Sequence, residues 1–234
     1  MTFLVGRVTR IVTQTGWGPL ALGCRARLVR GLIASVNSMT GTLYITGDTA
    51  ADKLLNTNAN ALLIGMLLDQ QVPMEWAFAG PATLKQRLGH LDPKKIAAMD
   101  VEEFVSICCE KPAIHRYPGS MGKRIHAVCE ALVADYKGNA ANIWKGVDSG
   151  NELYRRLRAL PGYGDEKAKI FVAILGKRMN VQPADWQTAA GVFGDEVPRS
   201  VADIDGPESL GKVREWKQAQ KAAKKDKQGR AAAG

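Results

Sequence analysis

The residues that could do chemistry begin with a tight turn, Leu160-Pro161-Gly162-Tyr163-Gly164, and continue with Asp185, which follows Gly164 by 21 residues. Proline removes a backbone donor and ends a helix, while glycine permits left-handed backbone and the close approach of a neighbour. If a helix begins after Gly164, its first N–H groups and its dipole favour an anion such as a phosphate. A carboxylate downstream could stabilise developing positive charge or activate water.

The segments on both sides of this turn have the helical period. Apolar residues recur at helical spacing at Leu153, Leu157 and Leu160 before the turn and at Ala168, Phe171, Val172 and Leu175 after it. The sequence therefore predicts two helices that share one core across the turn. Lys167 and Lys169 fall in the first turns of the second helix, where their amines could reach a bound phosphate or its neighbours.

At these residues the chain resembles a helix-hairpin-helix of the Leu-Pro-Gly-x-Gly type. With Asp185 downstream, it is similar to the helix-hairpin-helix (HhH-GPD) DNA glycosylase superfamily of base excision repair over roughly residues 55–195. The resemblance implies an all-α fold of two helical lobes with an active cleft between them. It also implies DNA contacts from a set of hairpin residues, namely Gly162, Tyr163, Gly164, Lys167 and Lys169.

Asp185 is the catalytic residue that the resemblance implies. Cleavage of an N-glycosidic bond builds oxocarbenium-like charge on the sugar, so a fixed carboxylate beside C1′ lowers the barrier and can activate the attacking water. The base must first leave the stack. Asp185 also stands before a possible helix, Trp186 to Phe193, so an N-cap role is an alternative that is compatible with catalysis.

An apolar segment upstream, Ala61 to Pro73, ends in a Gln-rich turn. It resembles the family segment that carries a wedge residue, which is pushed into the duplex to fill the space of an extruded base, and Gln71 falls on that position. The other interpretation is a buried helix whose last turn is capped by amides and stopped by Pro73.

One departure from the family concerns strand cleavage. Bifunctional members carry a lysine two residues after the second glycine of the hairpin, and its amine forms a Schiff base with the sugar. Here Glu166 has that position, and the adjacent Lys167 is turned from it by about 100 degrees. We expect a monofunctional glycosylase, an N-glycosyl hydrolase, although one inserted residue in the turn would restore Lys167 to the cleft.

The base pocket is predicted from aromatic rings, which stack on any extruded base. The candidates are Trp76, Tyr117, Trp186 and His115. Core packing is the alternative for each of them. The loop from His115 to Ser120 is the best further candidate for a pocket or a phosphate contact. No residue distinguishes alkylated, oxidised, deaminated and mispaired bases.

The net charge of +9 is unevenly distributed. Residues 1–38 and residues 217–234 each carry a net +5, which leaves −1 for residues 39–216. Within that middle part, residues 151–180 carry a net +4, so positive charge gathers around the hairpin and binding should weaken with salt. A solvated helix face of mixed charge is the alternative, because two acidic residues follow the turn where a phosphate would approach.

The chain divides into three predicted segments. Residues 1–38 form a basic extension that need not fold, residues 39–216 form the helical HhH-GPD-like domain with the hairpin near 151–178, and residues 217–234 form a Lys/Ala-rich tail. Since Met39 precedes the part that resembles the family, the first segment is also a hypothetical upstream extension of the reading frame.

Helices are expected near residues 59–71, 82–90, 93–99, 100–109, 120–136, 150–160, 165–178, 185–193 and 207–223. Strand-like alternation is almost missing. The segment Thr42 to Thr46 is the one β-rich piece, and we interpret it as an extended lead-in.

Neither a metal nor another cofactor is expected. The four cysteines form no disulfide framework and no Cys-x-x-Cys pair, and since none follows Cys129, the iron–sulfur cluster of some family members should be absent. The three histidines lack the spacing of a zinc site. No apolar run approaches about eighteen residues, so no membrane span is predicted. We expect a monomer in a reducing cytoplasm, associated with the nucleoid.

The expected function is that of a DNA repair glycosylase, which binds duplex DNA, extrudes a damaged or mispaired base and hydrolyses its N-glycosidic bond with Asp185. The alternative is a noncatalytic helix-hairpin-helix DNA-binding protein. Both bind duplex DNA in a salt-dependent manner, and release of a free base separates them. A third interpretation, a helical protein-interaction module, predicts no affinity for DNA.

Overall fold

The computed structural model describes residues 41–223, so the predicted extension at 1–38 and the end of the predicted tail, 224–234, lie outside the described residues. Within residues 41–223 the chain forms eleven α-helices and no β-strand, which confirms the predicted all-α class. The α-helices are α1 (Thr49–Thr57), α2 (Ala59–Leu68), α3 (Met74–Leu88), α4 (Pro93–Ala97), α5 (Val101–Cys109), α6 (Pro118–Tyr136), α7 (Ala141–Trp144), α8 (Gly150–Arg158), α9 (Asp165–Arg178), α10 (Trp186–Ala190) and α11 (Pro207–Ala222). Two short 3-10 helices, Gly191–Gly194 and Val201–Asp203, precede α11. The cleft between two lobes stays a prediction.

The helices differ from the sequence-based expectation mainly in the first half of the domain. The sequence predicts neither α1 nor α7, and it starts α3 only at residue 82, directly after Pro81, a residue type that usually interrupts a helix. Pro81 instead lies inside α3 and is buried. The helix continues through it because apolar residues on both sides, including Phe78 and Leu84, enter the core.

The central element is α2, in which every residue from Ala61 to Leu68 is buried. A helix that is apolar all round must be covered on all sides, and α1, α3 and α6 pack against it. The segment is therefore a buried helix, as one of its two interpretations expects. The Gln-rich turn follows at its C-terminal end, outside the buried part.

The helices α8 and α9 form the predicted pair across the hairpin, which we define as residues 160–164. Each buries the apolar face that the sequence assigns to it. α10 packs along both helices and completes this part of the core.

A backbone clasp fixes the start of α10. The N–H of Gly150 donates to the carbonyl of Ala184 at 2.6 Å, and the N–H of Ala184 donates to the carbonyl of Asp148 at 2.9 Å. Any Cβ at Gly150 would lie 2.5 Å from the Cα of Trp186, so only glycine permits this approach. The clasp holds Asp185 beside the N-terminus of α8.

The hairpin is tied to α2 by side chains of its own. The buried Tyr163 hydroxyl donates to the carbonyl of Leu63 at 2.6 Å, and the Lys167 amine donates to the carbonyl of Leu67 at 2.7 Å. Gly162 has a φ of +78°, and a Cβ there would lie 2.8 Å from a methyl group of Leu67. The hairpin and the C-terminal end of α2 therefore form one packed unit.

The buried hydroxyl bond should contribute measurably to stability. We expect Tyr163→Phe to lower the free energy of unfolding by about 1–3 kcal/mol, because the carbonyl of Leu63 keeps its burial and loses this donor. Urea unfolding followed by circular dichroism measures this change. Tyr154→Phe is the matched control, since the Tyr154 hydroxyl bonds an exposed carboxylate and its loss should change stability much less. Equal effects of the two variants would contradict the expectation.

Candidate nucleic-acid interface

The hairpin leaves the first turn of α9 open. Tyr163 donates its N–H to the carbonyl of Leu160 at 3.1 Å, which closes the turn. Gly164 is the N-cap of α9, no side chain caps the helix there, and a Cβ built on Gly164 would meet nothing within 4 Å. The N-terminal end of α9 is therefore accessible to an anion, and the helix dipole favours one.

Two acidic residues stand at this helix start, and one of them is held by neighbours. The Tyr154 hydroxyl donates to Asp165 Oδ1 at 2.6 Å, and the Lys169 amine donates to Oδ2 at 3.1 Å. The hydrogen bond from Tyr154, followed by that from Lys169, lowers the pKa of Asp165. Lys169, a predicted DNA contact, is thus already engaged in a surface ion pair. Such pairs are weak, so a phosphate can compete for the amine.

Two other predicted DNA-binding residues point into the protein. The Tyr163 side chain is buried against Phe171 in an edge-to-face contact, with 6.1 Å between ring centroids. The Lys167 amine lies 6.0 Å from the centre of the Tyr163 ring and hydrogen-bonds to α2. The side chain of Tyr163 is thus part of the core, and Gly162 and Gly164 are the exposed residues of the hairpin.

Gln71 lies in the turn that connects α2 to α3, which we call the wedge turn and define as residues 69–73. Its side chain is exposed, and its backbone has a φ of +56°, in the left-handed region that few residues other than glycine adopt. For a residue other than glycine this backbone conformation costs free energy, so it persists only where the surrounding structure holds it. The turn therefore presents Gln71 to solvent in a fixed backbone conformation.

His115 is the group that holds this turn. Its ring is 1% exposed, and Nε2 lies 2.9 Å from the carbonyl of Gln70. Nδ1 accepts the N–H of Tyr117 at 3.0 Å, so Nε2 carries the proton and donates to Gln70. The Trp76 ring stacks on one side of the His115 ring with 6.4 Å between ring centroids. The Tyr117 ring lies on another side with 6.0 Å between ring centroids. Three of the four predicted pocket residues thus meet beside the wedge turn.

These three aromatic residues differ in solvent exposure. Trp76 is 41% exposed and Tyr117 is 46% exposed, whereas the His115 ring is buried between them. Trp76 donates its indole N–H to the carbonyl of Ala113 at 3.2 Å, and the guanidinium of Arg116 lies 5.4 Å from the Tyr117 ring centre. The exposed rings can stack on bases, while the histidine can only position its neighbours.

Sequence reasoning missed Arg124, which the structure brings to the hairpin. A Cβ on Gly162 would lie 3.7 Å from the Cδ of Arg124, and the Arg124 side chain is exposed without a carboxylate partner among residues 41–223. The sequence could have indicated it, because Arg124 lies within the first two turns of α6, close after the predicted loop from His115 to Ser120.

Asp185 and Trp186 lie elsewhere. The Trp186 ring packs on Gly176 in the last turns of α9, and the Gln182 amide donates to the carbonyl of Gly176 at 2.9 Å. α9 has 14 residues and is about 21 Å long at about 1.5 Å per residue. Asp185 is therefore at the C-terminal end of α9, whereas the hairpin and Gln71 are at its N-terminal end.

Asp185 is exposed at its position, with a φ of +58°. It is the N-cap residue of α10 but makes no side-chain capping bond, so the expected N-cap hydrogen bond is not formed. No residue within 41–223 hydrogen-bonds to its carboxylate. Among the described residues, no contact joins Asp185 to the wedge turn or to the hairpin.

The described residues contain neither a candidate metal site nor a candidate membrane span. Among residues 41–223 no three His, Cys, Asp or Glu side chains come together in a group that could hold a metal ion. No helix in the same residues has the length and apolar character needed to cross a membrane.

The chain was compared with known families, curated proteins and solved structures. A family model described as HhH-GPD superfamily base excision DNA repair protein matches residues 64–227. No curated protein matches the chain. Among solved structures, the chain is similar to an endonuclease III in a trapped covalent intermediate with DNA, an estranged-adenine complex, with 18% identity and a TM-score of 0.39. The similarity covers 67% of this chain and 66% of that chain.

The buried histidine should make stability depend on pH. Burial lowers the pKa of His115 from 6.5, and the nearby charges of Lys167 and Arg124 act in the same direction, against the hydrogen bond to Gln70. The unfolded chain therefore binds the proton first, so stability is complete above about pH 6.5 and falls as the pH decreases towards the lowered pKa. We expect His115→Asn to flatten this fall in urea unfolding at pH 7.5, 6.0 and 5.0. An unchanged slope in the variant would contradict the assignment.

Proposed function

Because the chain belongs to the HhH-GPD superfamily of base excision DNA repair proteins, we propose that it is a glycosylase-like repair protein acting on duplex DNA with a damaged or mispaired base. The hairpin binds a backbone phosphate, Gln71 enters the base stack, and the extruded base is released by hydrolysis of its N-glycosidic bond. The protein works as a monomer at the nucleoid in the cytoplasm.

One observation carries this proposal, namely that the hairpin and the wedge turn lie at the same end of α9. The Lys167 amine bonds the carbonyl of Leu67, four residues before Gln71, so the two DNA-contacting elements are joined directly. A phosphate at the hairpin and a side chain in the stack can then act on neighbouring nucleotides. The left-handed backbone of Gln71, held through His115, keeps the wedge preorganised.

We do not expect a lyase reaction at the hairpin. Glu166 occupies the position at which bifunctional members carry their amine, and the neighbouring Lys167 amine is hydrogen-bonded to α2. A Schiff base needs a free amine at the sugar. We therefore propose a monofunctional hydrolase.

Asp185 is the carboxylate that the resemblance assigns to hydrolysis. Its exposure and its fixed backbone support the assignment, since an exposed carboxylate that no hydrogen bond within residues 41–223 engages can meet a substrate. The packing of the next residue, Trp186, on Gly176, about 16 Å along α9 from Asp165, argues against the assignment, because one strand of DNA advances about 3.4 Å per nucleotide. A nucleotide at Asp185 would be several steps from one at Gln71.

This separation favours a second candidate function, a noncatalytic helix-hairpin-helix DNA-binding protein. Such a protein needs the hairpin, Arg124 and the wedge turn, which lie at the same end of α9. It does not need Asp185. The two candidates differ in a single observable, the release of a free base.

A panel of lesion-bearing duplexes tests the proposal. We expect the protein to release the free base from at least one duplex carrying an alkylated, oxidised, deaminated or mispaired base. The strand should stay intact until alkali cleaves the abasic site, and borohydride should trap no covalent adduct. An adduct that disappears in Lys167→Ala would contradict the monofunctional assignment. Duplex binding without release from any substrate would support the noncatalytic candidate.

The role of Asp185 is tested on a duplex from which the wild type releases a base. If Asp185 is the carboxylate, Asp185→Asn slows base release by about 100-fold or more while duplex affinity stays near that of the wild type. Glu196→Gln, an exposed acid beyond α10, is the control. Turnover retained in Asp185→Asn rejects the role.

The interface is tested by the salt dependence of duplex binding. We expect Arg124→Ala to weaken binding and to reduce the slope of log K against log salt by about 0.9, because each lost phosphate contact releases fewer counterions. Fluorescence anisotropy from 50 to 300 mM KCl measures the slope. The control Lys53→Ala removes an exposed charge of α1, far from Arg124 in the sequence, and should leave the slope unchanged. Equal slopes for Arg124→Ala and the wild type would remove Arg124 from the interface.

A further inference from the structure

We infer that Asp165 limits how tightly the hairpin holds DNA, because its carboxylate competes with a backbone phosphate for the amine of Lys169. The inference rests on the proposed function, since it adds a means of regulation to the phosphate contact proposed there. It concerns the binding step alone and not the release of a base. Without this competition, we expect the protein to stay longer on undamaged duplex.

Asp165 places a negative charge where a phosphate is expected to bind. It is the first residue of α9 and directly follows Gly164, the N-cap. Its side chain is exposed, and the first N–H groups of a helix have no partner within the helix. The protein without DNA therefore carries an anion of its own at this helix end. The dipole of α9 attracts that anion as it would attract a phosphate.

Three neighbouring side chains keep this carboxylate charged. The Tyr154 hydroxyl donates to Oδ1 at 2.6 Å, and the Lys169 amine donates to Oδ2 at 3.1 Å. Arg158 is close as well, and its guanidinium donates to the carbonyl of Tyr163 in the hairpin at 3.3 Å. The hydrogen bonds from Tyr154 and Lys169, followed by the nearby positive charge, lower the pKa of the Asp165 carboxyl group. It is therefore ionised at neutral pH.

The charge of Asp165 weakens phosphate binding in two ways. A phosphate that approaches Gly164 meets the negative charge of the next residue, which repels it. Lys169 lies four residues after Asp165, on the same face of α9, and its amine is already bound to the carboxylate. The phosphate must therefore displace one anion from the amine and remain near that anion afterwards.

The exchange at the hairpin needs only side chains to move. Asp165 and Lys169 belong to one helix, and their side chains are 52% and 33% exposed. A contrasting ion pair lies beside the wedge turn, where the Arg214 guanidinium donates to Glu75 Oε1 at 2.5 Å and joins α11 to α3. Breaking that pair would loosen the contact between two helices, whereas breaking the pair at the hairpin leaves the backbone in place. A phosphate can therefore take the Lys169 amine at little cost.

The expected size of the effect is moderate. A surface ion pair and a charge at a helix end each change an equilibrium by at most about fivefold. Together they lead us to expect that Asp165 lowers the affinity for duplex by about threefold to tenfold. A phosphate contact carries no information about the bases. The reduction therefore applies to undamaged DNA as well, where it shortens the time that the protein spends at each position.

Fluorescence anisotropy with a labelled, undamaged duplex from 50 to 300 mM KCl tests the inference. Asp165→Asn removes the charge and keeps an oxygen that can accept from Tyr154. The matched control is Glu208→Gln on α11, which begins beside the C-terminal end of α9. Glu208 is likewise an acid in the first turn of a helix, and it is paired with Lys212, four residues later, at 2.6 Å. Lys169→Gln and its combination with Asp165→Asn complete a double-mutant cycle, and circular dichroism melts verify that all variants are folded.

We expect Asp165→Asn to raise the duplex affinity about threefold to tenfold at the lowest salt concentration, and this gain should shrink as salt screens the charge. Glu208→Gln should bind as the wild type does. In the Lys169→Gln background the gain from Asp165→Asn should be smaller, because the amine for which the two anions compete is missing. An unchanged affinity in Asp165→Asn, an equal gain in Glu208→Gln, or an undiminished gain without Lys169 would overturn the inference.

The same measurement distinguishes a failure of the proposed function from a failure of this inference. Base release plays no part in it, so a wild type that binds duplex and releases no base leaves the result for Asp165 intact. If neither the wild type nor Asp165→Asn binds duplex, both the proposed function and the inference are overturned. Binding by Asp165→Asn alone would support the inference.

Discussion

Two hydrogen bonds from the hairpin region to the carbonyls of α2 organise the rest of the structure. The last carbonyls of a helix have no partner within the helix, and its C-terminal end attracts positive charge. Lys167 supplies both a donor and a charge to Leu67, and Tyr163 adds a buried donor to Leu63 one turn earlier. The hairpin and the wedge turn, which we propose to contact a phosphate and the base stack, lie in separate parts of the chain. These bonds set the distance between them, and the spacing of possible DNA contacts follows from that distance.

Much of the architecture was accessible from the sequence, because periodicity and turn chemistry are local. The pair α8 and α9, the hairpin between them and the buried α2 all follow from apolar spacing and from glycine and proline. Asp185 shows where local reasoning ends. Its separation from Gly164 is known from the sequence, but its location depends on the backbone clasp between Gly150 and Ala184, which pairs residues far apart in the chain. Pro81 is a similar case, because burial on both sides of it outweighs its tendency to break a helix.

The acidic start of α9 illustrates a compromise between folding and binding. In the absence of a ligand, the negative charge of Asp165 stabilises α9 through the helix dipole. The hydrogen bonds from Tyr154 and Lys169 keep its carboxylate in a defined place. The same carboxylate repels a phosphate. The ion pair lies at the surface, with Lys169 33% and Asp165 52% exposed, so rearranging it costs little, and an anion bound at this helix end would release the amine of Lys169. Net charge alone could not reveal this, because the pairing is a property of side-chain geometry.

The ion pair between Arg214 and Glu75 makes ionic strength act on the protein as well as on the duplex. The Arg214 side chain is 54% exposed, so dissolved ions screen the attraction that joins α11 to α3. Raising the salt concentration therefore weakens the contact between α11 and α3 while it also weakens phosphate contacts. The number of phosphates calculated from a binding slope is then an upper bound, since part of the slope belongs to a rearrangement within the polypeptide.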